Sequence, residues 1–144
     1  MTATSGGSAS GSRIVKGYEQ FVAEALDEIE EWSTAEAIER YGDDDVVFVD
    51  VRDAQELVEH GRIPGAVHAS RGMLEFHVDP ESPYFIEVFG EDRLFAFHCA
   101  AGARSALAAH RAGEMGLASV VNVEGGFTVW KEAGGPVEEP SPTM

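Results

Sequence analysis

The sequence predicts an α/β domain, a mostly parallel sheet with helices on both faces, and three observations predict it. Two apolar runs of strand length, Val46-Val47-Phe48-Val49-Asp50-Val51 and Leu94-Phe95-Ala96-Phe97-His98, lack the alternation of a half-exposed strand, as strands buried on both faces do. Segments with helical spacing separate the strand segments. The second run passes straight into a loop of small residues and then a helix, and α/β sheets bind ligands where strands end this way. At 144 residues the chain fits one domain with its own core.

Residues 1–12, rich in Ser, Gly, Thr and Ala, are expected to form a flexible leader. They have neither the basic start nor the apolar run of a signal peptide. Over 13–32, Ile14, Tyr18, Phe21, Val22, Ala25, Leu26 and Ile29 recur at spacings of three and four. This predicts an extra N-terminal amphipathic helix, its stripe covered by the main domain or by a second copy. The main domain is expected over 33–138, with a tail over 139–144. Ser33 and Glu36 have the spacing of a capping box, opening a helix that stops near Gly42. After the acidic turn at 43–45 comes the first apolar run, and Asp53 then caps a helix through His60. A turn over 61–65 leads to a short strand over 66–69 and a helix over 71–77. Residues 79–83 read as a loop, and the stretch on to Gly90 is left unassigned. Beyond the second run, Leu107, Ala108, Arg111 and Met115 mark a helix that stops at Gly116. A strand over 120–123, a turn at Gly125-Gly126 and a helix carrying Phe127, Val129 and Trp130 complete the chain.

Composition narrows the function. A formal net charge of −16 opposes nucleic-acid phosphates and anionic membrane surfaces, so neither is an expected partner. No run of about 18 apolar residues could span a bilayer. One cysteine excludes an intramolecular disulfide, and no Cys/His cluster has zinc spacing, so neither a metal nor a cofactor is expected. A cytoplasmic location, where the thiol stays reduced, fits these features.

That cysteine, Cys99, is the candidate nucleophile. The following Ala100, Ala101, Gly102 and Ala103 let the backbone curl so that successive N–H groups point at one centre, and the helix after Arg104 adds its positive end. Such a field favours thiolate, lowering a cysteine from about 8.5 to roughly 3.5–7.5. Arg104 is the loop's one charge, suited to gripping two oxygens of an anion. Ser105 closes the loop. Asp50 and Arg52, at a neighbouring strand end, are candidate supporting residues, and Arg71 could reach the mouth of the site. His98 points away from Cys99 along an extended strand and reads as a packed side chain.

Four motifs together resemble the single-domain rhodanese family of sulfurtransferases: Val49-Asp50-Val51-Arg52 with Glu56, Gly61-Arg62-Ile63-Pro64-Gly65-Ala66, Cys99-Ala100-Ala101-Gly102-Ala103-Arg104-Ser105, and Glu124-Gly125-Gly126-Phe127 with Trp130. The match runs from about Ser33 to Val137. The resemblance implies a three-layer fold with a five-stranded parallel sheet flanked by helices. It also implies a Cys99 that alternates between thiolate and persulfide, with the amides from Ala100 to Ser105 cradling the sulfur. Thiosulfate or a similar donor would supply sulfur, and cyanide or a thiol, including that of a thioredoxin-like protein, would remove it. Two departures stand out: Arg62 where the family often has His, and His98 before the cysteine. A His-Cys pair before a loop ending in Arg also occurs in phosphatases, where five residues rather than four separate Cys from Arg. The alternatives are therefore phosphatase or arsenate reductase chemistry and a non-catalytic or sulfur-sensing binding module.

Overall fold

The computed structural model describes residues 13–140. The predicted leader, 1–12, and most of the predicted tail lie outside them. Five strands form one parallel sheet: β1 (Glu30–Trp32), β2 (Val46–Asp50), β3 (Val67–His68), β4 (Leu94–His98) and β5 (Val120–Val123). Their order is β1-β5-β4-β2-β3. The helices are α1 (Tyr18–Glu28), α2 (Thr34–Arg40), α3 (Ala54–His60), α4 (Leu74–Val78), α5 (Ala103–Met115) and α6 (Gly126–Glu132).

Strand alternation sorts the core into two layers. Val47, Val49, Phe95, Phe97 and Cys99 pack with Leu74 and Val78 of α4 and Ala108, Ala109 and Ala112 of α5. Val46, Phe48, Ala96, Val121 and Val123 face the other way, onto Ala37 of α2 and Phe127 and Trp130 of α6. Both faces are covered, which is why the strands read as continuous apolar runs. Trp130 anchors the second layer, edge-on to Phe48 at 5.5 Å and to Tyr41 at 5.8 Å, with its Nε1 donating to Pro136 O.

The N-terminal segment corrects an expectation. The helix expected over 13–32 spans Tyr18–Glu28, because Ile29 is extended and the chain continues as β1, paired with β5. Trp32 drives this: it is buried in the second layer, and pairing at the sheet edge satisfies the backbone of both strands. The sheet thus begins at Glu30, ahead of the expected boundary at 33. The apolar stripe is covered only in part. Ala25 is buried where α1 packs on α5, whereas Ile14 is 71% and Tyr18 68% exposed.

Capping follows sequence more closely. The Ser33 hydroxyl accepts from Glu36 N–H, and Glu56 Oε2 accepts from Asp53 N–H at the start of α3. The unassigned stretch before Gly90 ends in a 3-10 turn over Glu87–Gly90 that buries Phe89. The helix expected over 71–77 is a 3-10 turn, Arg71–Met73, followed by α4.

Candidate active site

Cys99 follows the last residue of β4, at the carboxyl end of the sheet. The loop after it is shaped from outside. Phe127 and Thr128 of α6 donate their N–H groups to Cys99 O (2.7 Å) and Ala100 O (3.1 Å). With these carbonyls drawn outward, Gly102 N–H turns inward and donates to Cys99 Sγ at 3.1 Å. Two glycines permit this. Gly102 takes φ +110 at the N-cap of α5, and a Cβ on Gly126 (φ +61) would stand 2.6 Å from both carbonyl oxygens.

The thiol is 1% exposed and belongs to the first core layer, yet polar groups surround its sulfur. Burial pushes its pKa up. Hydrogen bonds from the loop, the amides of Ser105, Gly102 and Ala101 among them, pull it down, and the outcome lies below the ordinary value. Helix α5 starts at Ala103, earlier than expected, so Arg104 and Ser105 lie in its first turn, where the helix dipole also favours negative charge.

Arg104 is not left open to an anion. Its two terminal nitrogens bond both oxygens of Glu56 from α3, at 2.7 and 2.9 Å. This bidentate pair holds the Glu56 carboxyl down at about 2, aided by Asp53 N–H and opposed by burial, and raises Arg104 further.

Asp50 and Arg52 lie on the opposite face of the sheet from Cys99. Asp50 accepts from Arg52 Nε at 3.0 Å and Nη2 at 2.8 Å, and the pair is fully buried. Arg52 also donates to Gly61 O and lies 4.4 Å from the centroid of the Phe127 ring. It therefore steadies the α6 residue that holds Cys99 O. His98 packs on the same face, with Nε2 3.4 Å from Asp50 Oδ2. Burial pushes the Asp50 carboxyl up, but contacts from His98 and Arg52 outweigh it and hold the group well below the carboxylate range. Arg71 turns its guanidinium to Glu75 of α4, which Arg111 of α5 also reaches.

Sequence reasoning missed three residues. Glu56 was visible as a motif member, but its partner is 48 positions away. Asn122 and Glu31 form a chain behind the loop: Asn122 bonds Ser105 at 2.6 Å and Glu31 at 2.9 Å. The signal was one Asn inside the apolar strand β5, since a buried amide requires partners. Beside Ala100, a groove of about 480 Å³ opens along α3 and α6, bordered by Arg52, Glu56, Phe127 and Lys131.

Among the described residues, no helix is long and apolar enough to cross a membrane, and no group of three His, Cys, Asp or Glu side chains is placed to hold a metal ion. Comparison with known proteins agrees with the fold. YtwF of Bacillus subtilis, assigned by name to the sulfurtransferases, is 35% identical over 105 residues, covering 72% of this chain and 92% of its own. A Rhodopseudomonas palustris protein of unknown function, described as a possible tyrosine phosphatase, superposes with TM-score 0.87 at 48% identity, covering 90% of this chain and all of its own. The polysulfide-sulfur transferase homodimer of Wolinella succinogenes superposes with TM-score 0.65 at 30% identity, covering 86% and 88%. The family model of the rhodanese-like domain matches residues 33–133, well over half of the sequence, and the chain belongs to that family.

Proposed function

We propose that this protein is a sulfurtransferase that carries sulfane sulfur on Cys99 as a persulfide. The observation that carries the reading is the convergence of loop amides on the sulfur of the lone cysteine, with Gly102 N–H at 3.1 Å. The Cys99 thiolate attacks the outer sulfur of thiosulfate or a similar donor. As the new S–S bond forms, the donor's own S–S bond breaks and sulfite leaves with the electron pair. An acceptor, cyanide or a thiolate, including that of a thioredoxin-like protein, then attacks the terminal sulfur of the persulfide and returns Cys99 as thiolate. Two easy transfers replace one hard one, and ping-pong kinetics follow. The amides supply the anion's hydrogen bonds without a side chain, and the adjoining groove has the size of a small-molecule site. Names of relatives support sulfur transfer, as does the Arg104–Glu56 pair, which sets a guanidinium near the loop without leaving its fork open to a phosphate.

Mass spectrometry after incubation with thiosulfate tests this. Wild type is expected to gain one sulfur atom on Cys99, and Cys99→Ser none while staying folded. A wild-type protein that stays unmodified refutes the persulfide and leaves the binding-module reading. The description of the Rhodopseudomonas palustris relative favours a second reading, aryl phosphate hydrolysis. Turnover of such a phosphate that is lost in Cys99→Ser would establish it in place of sulfur transfer.

A further inference from the structure

Asn122, buried in β5, meets different chemistry at its two ends. Its Nδ2 donates to Glu31 Oε2 at 2.9 Å and to Gly102 O at 3.3 Å, both of which only accept. The amide is thereby oriented, and Oδ1 stands 2.6 Å from Ser105 Oγ. Ser105 has one hydroxyl proton. Facing an oxygen that cannot donate, the hydroxyl gives that proton to Asn122. Cys99 Sγ lies 3.4 Å from the same Oγ and so meets a lone pair.

We propose that Asn122, locked by Glu31, is a positioning residue: it turns the Ser105 hydroxyl away from the sulfur, so that Ser105 accepts from the Cys99 thiol and does not donate to its thiolate. Stabilising the thiolate then falls to the amides of Ala101, Gly102 and Ser105 and to the end of α5. A hydroxyl free to rotate would add a donor and ionise the thiol further. The consequence for turnover rests on reading Cys99 as the sulfur carrier, whereas the direction of the hydrogen bonds stands without it. The charged or titratable groups nearby are Glu31 on β1, Arg104 with Glu56 on α5 and α3, Arg71 with Glu75 beside α4, and Asp50, Arg52 and His98 across the sheet. Substitutions at 122 and 105 leave all of these in place.

The test is the pH dependence of Cys99 alkylation by iodoacetamide, on the full chain with no sulfur donor present. Asn122→Leu frees the Ser105 proton and is expected to lower the titration midpoint by about half to one pH unit, the worth of one net hydrogen bond. Ser105→Ala is expected to leave the midpoint unchanged or lower, and the double variant to match Ser105→Ala. Glu31→Gln keeps an acceptor oxygen for Asn122 and the wild-type midpoint, whereas Glu31→Leu shifts it in the Asn122→Leu direction. A midpoint that rises in Ser105→Ala, or stays fixed in Asn122→Leu, overturns the proposal. If Asn122→Leu does not fold, the sign of the Ser105→Ala shift decides alone. A protein that takes up no sulfur yet shows these shifts loses the function proposed above and keeps this inference.

Discussion

Replacing Glu56 by Gln isolates the charge that α3 sets against the Cys99 loop. Gln retains an oxygen for Asp53 N–H, so the helix cap survives while the ion pair with Arg104 is lost. The Glu56 carboxyl drops from 4.5 to about 2, which at about 1.4 kcal/mol per pH unit sets a ceiling of about 3.5 kcal/mol. The Arg104 side chain is 40% exposed and that of Glu56 25%, so water screens the pair and about 1–2 kcal/mol is expected. A carboxylate held below its unfolded value stabilises the protein above that value and loses its contribution as pH falls toward the folded one. The stability difference between wild type and Glu56→Gln is therefore full above about pH 5.5 and shrinks by roughly half at pH 3.5. Urea denaturation of both proteins at pH 7 and pH 3.5 measures it. Equal stability at pH 7, or a difference that persists undiminished at pH 3.5, refutes the reasoning.

Asp50→Asn leaves Arg52 buried opposite a neutral amide, and a loss of roughly 3–5 kcal/mol is expected in the same urea assay; a loss below about 1 kcal/mol would mean that the pair is dispensable. Gly126→Ala drives a Cβ to 2.6 Å from the carbonyl oxygens of Cys99 and Ala100. Because backbone rather than a flexible side chain must yield, a loss of roughly 1–3 kcal/mol and slower alkylation of Cys99 are expected, and an unchanged alkylation rate would show that α6 does not shape the loop.

The central strands were legible because burial on both faces writes a continuous apolar run, and 46–50 and 94–98 need no distant partner to be recognised. The loop from Cys99 to Ser105 was legible as a strand-to-helix turn because small residues there have a local reason. Edges were harder. Glu30-Glu31-Trp32 continues a helical stripe by spacing, and only the unpaired edge of β5 and a buried place for Trp32 turn it into a strand.

By itself the sequence determined which residues can be apolar core, where the chain must turn, and that one thiol heads a curl of small residues. The tertiary structure decided how that thiol is served: Glu56 meets Arg104, Phe127 draws Cys99 O outward, and Glu31 orients Asn122 across 91 positions. Local pattern follows from the period of a strand or helix, which neighbouring residues define. The direction of a hydrogen bond or the pairing of a charge depends on groups that meet only once the sheet has ordered its strands.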